Sequence, residues 1–184
     1  RSDSYRGPMV LALSWQPGFC ETRPRLPECR SQISARFDAS HFALHGLWPQ
    51  PRSQSYCDVN AKTVALDKSR KWRRLEPLQL SKQLREELWR IMPGTRSFLH
   101  RHEWVKHGTC YSDLPEDYYA DSITLLAWIN TSPVQQLFAR SIGTYLSAKQ
   151  IRASFDHSFG KGAGDRVRVA CKRDGKRTII TEIT

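Results

Sequence analysis

The sequence lacks any long apolar segment, since none of its runs reaches the roughly 18 residues that a membrane-spanning helix needs. It also lacks the C-x-x-C pairs of many zinc sites, and we find no internal repeat or low-complexity tract. The chain opens at Arg1 with neither an initiator Met nor the apolar stretch of a signal peptide, as a mature or trimmed product would. These absences argue against a helical membrane span and a repeat architecture, and we expect no membrane partner.

A length of 184 residues fits one hydrophobic core, so we predict a single domain over residues 1–184. The chain has 29 Lys and Arg against 18 Asp and Glu, which gives a formal net charge of +11. Such a charge attracts polyanions and speeds their capture, so nucleic acid is the leading candidate partner. The alternative, that the charge serves only solubility, stays open at this point.

The five cysteines are scattered among turn-rich segments, a pattern typical of disulfides formed in an oxidising compartment. Because five is an odd number, one of them must lack an intrachain partner. Cys20 and Cys29 are close in sequence, so a disulfide between them could hold the polar segment at residues 21–40. The cysteines are Cys20, Cys29, Cys57, Cys110 and Cys171.

Short apolar runs bounded by Gly and Pro predict strands at residues 9–15 and 41–48, and alternating residues predict a closing hairpin over 167–184. Residues 21–40 and 52–74 are polar and are predicted to be surface segments.

Four helices are predicted between these strands. Leu80, Leu84, Leu88 and Ile91 recur at helical spacing before Pro93, and further helices begin near residues 113–115, 132–133 and 147–150. Strands at both ends and helices in the middle predict an α+β fold, in which a central, mostly antiparallel sheet packs against several helices.

The motif HEWVKHGTC at residues 102–110 concentrates ionisable side chains. On a helix, Glu103 and His107 lie one turn apart, and His102 and Lys106 form the adjacent stripe, so all four share one face. A solvated surface helix would show the same charges, but the large apolar residues between the pairs indicate an embedded element. A zinc hydrolase is the less favoured alternative. The H-E-x-x-H signature separates its histidines by four residues, whereas these are separated by five, about 140° apart.

His45 ends a predicted strand beside Gly46, a residue that lets another group approach closely. Cleaving RNA without a metal needs one group to take the proton of the ribose 2′-OH and another to protonate the 5′-oxygen. Two histidines can do this, because an imidazole pKa of about 6.5 allows one to be neutral while the other is charged. Lys106 and His102 are placed to stabilise the negative charge of the phosphorane-like transition state.

These residues resemble the ribonuclease T2 family, whose two active-site motifs are similar to FALHGLWP at residues 42–49 and HEWVKHGTC at residues 102–110. LSWQPGFC at residues 13–20 resembles the first core strand of the family's bacterial periplasmic members. Two positions depart from the pattern. Ala43 stands where the family commonly has Thr, and Ser14 stands where many eukaryotic members have Gln, so no base preference is carried across.

The resemblance implies that His107 is the general base and His45 the general acid. It further implies that Glu103 and Lys106 polarise the phosphate and that His102 holds it. The product would be a 2′,3′-cyclic phosphate, which the same histidines then hydrolyse to a 3′-phosphate. DNA would be inert because it has no 2′-OH, and no metal or other cofactor would be needed.

Base recognition in the family uses aromatic stacking, which tolerates every base. Trp48 and Tyr56 are similar to residues of one base site, and Phe98 resembles a contact in the second.

The family pattern also implies disulfides between Cys57 and Cys110 and between Cys20 and Cys29. Cys171 resembles a family cysteine whose partner lies further along the chain than Thr184, so we expect a missing C-terminal tail or a free thiol. We expect a monomer that acts on RNA in the periplasm or after secretion. The alternative from another class is a catalytically silent RNA-binding protein on the same scaffold.

Overall fold

The computed structural model describes Tyr5 and residues 7–184, so the expectation about Arg1 falls outside the described residues. The four strands are β1 (Met9–Ser14), β2 (Ala43–Pro49), β3 (Val169–Asp174) and β4 (Arg177–Ile183). The α-helices are α1 (Gln16–Thr22), α2 (Pro27–Arg30), α3 (Ala61–Lys68), α4 (Lys82–Ile91), α5 (Leu99–Lys106), α6 (Pro115–Asn130), α7 (Pro133–Arg140) and α8 (Ala148–Phe159). Short 3₁₀ turns lie at Phe37–Ala39, Trp72–Arg74, Pro93–Ser97, Gly108–Cys110 and Gly164–Arg166. Along the part of the chain that the structure describes, no helix is both long enough and apolar enough to cross a bilayer.

The strands form one sheet in the order β2-β1-β4-β3. β3 and β4 form the predicted antiparallel hairpin, whose turn follows Asp174. The end of β1 pairs antiparallel with β4, with Leu13 opposite Ile183. The predicted α+β fold with its antiparallel sheet is therefore confirmed.

The contacts divide the chain into two compact units that alternate along the sequence. The first unit contains the chain up to Ala12 together with residues 44–124, and the second contains residues 13–43 and 125–184. The single domain over residues 1–184 stays a prediction.

The second unit has an aromatic core. The rings of Trp15, Phe42 and Phe138 pack in tilted and edge-on contacts, with centroids 4.6 to 5.1 Å apart. Cys20 and Cys29 form a disulfide in this unit, as predicted. Cys171 in β3 carries a free, exposed thiol.

The first unit fixes β2 on α6 through one buried tyrosine. The Tyr118 hydroxyl accepts a hydrogen bond from the Leu47 N–H at 3.1 Å and donates one to the Leu47 carbonyl at 3.0 Å. Satisfying both backbone groups of one strand residue stabilises the strand's position, because a buried peptide group without a partner is costly. The positions of His45 and Trp48 in β2 are thereby set relative to α6.

The two segments predicted to lie on the surface contain helices that were not predicted. Residues 52–74 contain α3 and a 3₁₀ turn, and residues 21–40 contain α2 and the end of α1. α3 begins at a side-chain cap, since the Asn60 side chain accepts a hydrogen bond from the Thr63 N–H. Its few apolar residues do not form one helical face, which is why periodicity gave no signal for it.

The helices α7 and α8 begin within the predicted ranges. Ser132 caps α7, and Ser147 forms a capping box with Gln150 at the start of α8. Gly160 ends α8 with a φ of 99°, a conformation that favours glycine. The helix predicted from Leu80 begins at Lys82 with Ser81 as its cap.

Candidate active site

The ionisable motif occupies α5 and the residue after it. The helix ends at Lys106, and His107 is its C-cap, with its N–H donating to the Glu103 carbonyl at 2.9 Å. The prediction that all four side chains project from one helix is therefore wrong for His107. The chain tightens there into the 3₁₀ turn at Gly108–Cys110, which leads directly to a disulfide.

Glu103 is the centre of the cluster, with a side chain that is only 1% exposed. Its Oε1 lies 3.4 Å from Nε2 of His45 and 3.8 Å from Nε2 of His102. Its Oε2 accepts a hydrogen bond of 2.8 Å from Nε1 of Trp48. The Trp48 ring also contacts His45 edge-on at 5.3 Å and lies 5.5 Å from the ring of His107. One buried carboxylate thus joins residues of β2 to residues of α5.

Gly46 permits this close approach of strand and helix. A Cβ atom at this position would overlap Oε2 of Glu103 and would lie 2.7 Å from Nε1 of Trp48. The sequence prediction that Gly46 admits another group is confirmed, and that group is the Glu103 carboxylate.

Burial and mutual charge set the protonation of the cluster. Burial raises the pKa of Glu103, against the positive charges of His45 and His102, the Trp48 hydrogen bond and Lys106, which lower it. Burial lowers the pKa of His107 to about 3, and the charges of Lys106, His102 and His45 act in the same direction. The Nδ1 of His107 is buried and has no hydrogen-bond partner among the described residues. His107 is therefore neutral at neutral pH, as a proton acceptor must be.

Asp67 of α3 is a site residue that the sequence analysis missed. Its carboxylate is buried, and both of its oxygens bond to Nδ1 of His102, at 2.8 and 2.9 Å. Oδ2 also accepts a hydrogen bond of 2.8 Å from the Tyr56 hydroxyl. Trp72, which was also missed, stacks on the His102 ring with centroids 4.6 Å apart and an interplanar angle of 20°. Both residues lie in the segment predicted to be surface, and no motif there marked them.

The sequence model of the ribonuclease T2 family matches residues 7–184, which are nearly the whole of the chain. The chain belongs to the ribonuclease T2 family. The segments at residues 42–49 and 102–110 supply His45, Trp48 and His102, which contact Glu103.

Several curated relatives carry ribonuclease names. The chain is 31% identical to ribonuclease I of Escherichia coli strain K12 over 195 residues, which cover 95% of this chain and 72% of that protein. It is 32% identical to a ribonuclease of Aeromonas hydrophila over 60% of this chain, and there it spans only 40% of the relative's length.

A solved structure shares the fold. The crystal structure of RNase NT in complex with 5′-AMP superposes with a TM-score of 0.58 at 17% identity, and the match covers 95% of this chain and 82% of that one.

The residues predicted to bind bases lie at different distances from the cluster. Trp48 is part of it, and Tyr56 adjoins it through Asp67 and through a hydrogen bond from its N–H to the Lys106 carbonyl at 2.9 Å. Phe98 precedes the first turn of α5, about 13 Å along the helix axis from His107, and the Arg101 guanidinium lies over its ring.

The predicted disulfide between Cys57 and Cys110 lies next to the His107 end of the cluster. Cys57 and Cys110 are joined in the structure, so the loop after β2 is tied to the turn that follows His107.

Proposed function

We propose that this chain is a T2-type endoribonuclease that cleaves single-stranded RNA through a 2′,3′-cyclic phosphate, with His107 and His45 moving the protons. The observation that carries the proposal is the cluster around Glu103, in which His45, His102 and Trp48 contact one buried carboxylate. Family membership and the ribonuclease names of the relatives support RNA as the substrate.

His107 is the group that takes the proton in the first step. Its neutral imidazole accepts the proton of the ribose 2′-OH, the 2′-oxygen bonds to phosphorus, and the bond from phosphorus to the 5′-oxygen breaks. The low pKa of His107, about 3, keeps the acceptor unprotonated across the neutral and mildly acidic range.

His45 supplies the proton that the departing 5′-oxygen needs. The Glu103 oxygen, 3.4 Å from Nε2 of His45, stabilises the charged imidazolium and holds the ring in one orientation. In the second step the roles are exchanged. His45 takes a proton from water, the resulting hydroxide bonds to phosphorus, and the bond from phosphorus to the 2′-oxygen breaks. His107 returns its proton to the 2′-oxygen, so the product is a 3′-phosphate.

Lys106 and His102 provide positive charge for the phosphate. His102 is fixed by Asp67 on one ring nitrogen and by Trp72 on one ring face, so its other nitrogen has a set direction. A preorganised cation costs no rearrangement when charge develops on the phosphoryl oxygens.

We also propose a location, an oligomeric state and base-binding residues for the protein. Two disulfides and ribonuclease relatives fit an extracytoplasmic location, in the periplasm or after secretion. We further propose a monomer that uses no metal, with Trp48, Tyr56 and Phe98 stacking on bases.

Substitution of single histidines tests the proposal. His45→Ala or His107→Ala should lower kcat on single-stranded RNA by at least about 100-fold, because each removes a general acid or base. His157→Ala, which alters an exposed histidine of α8, is the matched control. Full activity in either site variant would refute the assignment, and RNA binding without cleavage by the unmodified protein would favour the silent RNA-binding alternative.

A further inference from the structure

A basic segment at residues 68–74 lies directly after Asp67. Five of its seven residues are cations, and all five are exposed. None takes part in the ion pairs found among Tyr5 and residues 7–184. These cations are Lys68, Arg70, Lys71, Arg73 and Arg74. The segment therefore carries five positive charges that are not ion-paired among the described residues.

The backbone of the basic segment is fastened to the active site. Trp72 in its middle stacks on His102 and donates from Nε1 to the Asp67 carbonyl at 3.2 Å. From α5, Nη1 of Arg101 donates to the carbonyls of Arg73 at 3.1 Å and Leu75 at 2.7 Å. The cations of this segment therefore begin one side chain away from His102, the histidine to which the proposed function assigns the scissile phosphate.

The geometry points to a phosphate-binding subsite in the basic segment, which holds the RNA strand next to the bond that is cut. This inference rests on the proposed function, because the subsite binds the same RNA strand at a phosphate next to the one that His102 holds. Single-stranded RNA carries one negative charge per nucleotide, and Lys and Arg bind such charges by releasing counterions. A set of cations on an anchored backbone beside the site thus selects longer RNA over a dinucleotide, which has no neighbouring phosphate to offer.

A solubility role would not require this location. The β3–β4 hairpin also displays exposed cations, at Lys172, Arg173 and Lys176, and it belongs to the second unit. It therefore offers a matched set of three charges outside the unit that contains the cluster.

Binding of an uncleavable strand tests the subsite without relying on catalysis. The variant Lys71→Gln/Arg73→Gln/Arg74→Gln is compared with Lys172→Gln/Arg173→Gln/Lys176→Gln, using a 2′-deoxy oligonucleotide over a series of salt concentrations. Three phosphate contacts at about 0.7 each should reduce the slope of log Kd against log salt by about 2 in the first variant. The hairpin variant should keep the slope of the unmodified protein.

Cleavage gives the second measurement. The ratio of kcat/KM for an RNA oligonucleotide to that for a dinucleoside monophosphate should fall about tenfold in the first variant only. Equal changes in both variants, or an unchanged salt slope in the first, would overturn the subsite. A protein that cleaves no RNA would refute the proposed function instead, while the binding slopes would still decide the subsite.

Discussion

Two buried carboxylates, Glu103 and Asp67, hold the histidines of the site. Burying a carboxylate is costly unless hydrogen bonds and opposite charges compensate it, and each of these contacts at least two such groups. Glu103 contacts Nε2 of His45 and lies near Nε2 of His102. Asp67 contacts the other ring nitrogen of His102, Nδ1. The orientation of both imidazoles therefore depends on residues that do not transfer protons themselves.

Asp67→Asn should impair catalysis through His102. An amide removes the negative charge of the carboxylate and can turn its NH₂ group toward Nδ1 of His102, so the ring loses the acceptor that orients it. We expect kcat to fall by about 10- to 100-fold, with a smaller change in KM, because Asp67 acts through His102 and direct removal of one charge-stabilising group costs about 100- to 1000-fold. Steady-state kinetics across pH should also show an altered kcat profile.

Asp121→Asn is the matched control for Asp67→Asn. The Asp121 carboxylate also accepts a hydrogen bond from a tyrosine hydroxyl of the first unit, that of Tyr111. Among the residues that the structure describes, it bonds to no histidine. Equal kinetic losses in the two variants would mean that Asp67 is only structural.

The lowered pKa of His107 gives a prediction about pH. A folded-state pKa of about 3, below the ordinary value of about 6.5, means that the imidazole is still neutral at pH 5. Protonation then favours the unfolded chain, so His107 lowers stability progressively as pH falls from about 6.5 to 3. Side-chain ¹⁵N NMR at pH 5 should report a neutral ring, and a midpoint near 6.5 would contradict this.

At the scale of elements, the sequence predicted the strands and the helices that have an apolar face. α4 was predicted because its apolar residues recur at helical spacing, and α7 and α8 were predicted from the helix-start signals near residues 132–133 and 147–150. α3 was missed because it buries Asp67 instead of an apolar stripe, and tertiary contacts with His102 and Tyr56 give that residue its role. Long-range pairing of this kind leaves no periodic signal in a single sequence.

The contact between β2 and α5 is sensitive to one methyl group. Gly46→Ala would press a Cβ against the Glu103 carboxylate and the Trp48 indole, so the strand and helix must separate. Because a displacement of about 1 Å can cost 100-fold in rate, we expect a loss of kcat of about that size. Activity assays should be paired with circular dichroism to verify folding. A well-folded variant with full activity would show that the close approach is dispensable.

At the scale of the whole molecule, stability depends on how the two disulfides restrict the unfolded chain. Cys57 and Cys110 are separated by 53 residues, and Cys20 and Cys29 by 9. The larger loop should contribute about 4 kcal/mol and the smaller about 2.5 kcal/mol in the loop-entropy description. Urea unfolding of Cys57→Ser/Cys110→Ser and Cys20→Ser/Cys29→Ser should rank the losses in that order. The reverse order would show that native contacts outweigh chain entropy.

The chemistry of the cut ends tests the central claim most directly. A defined single-stranded RNA is incubated with the protein in the presence of a metal chelator, and the fragments are analysed by mass spectrometry. Proton transfer between His107 and His45 predicts early fragments that end in a 2′,3′-cyclic phosphate and later ones that end in a 3′-phosphate. The same sequence made as DNA should stay intact. Fragments with 3′-hydroxyl ends, or cleavage that stops when the chelator is added, would contradict the mechanism.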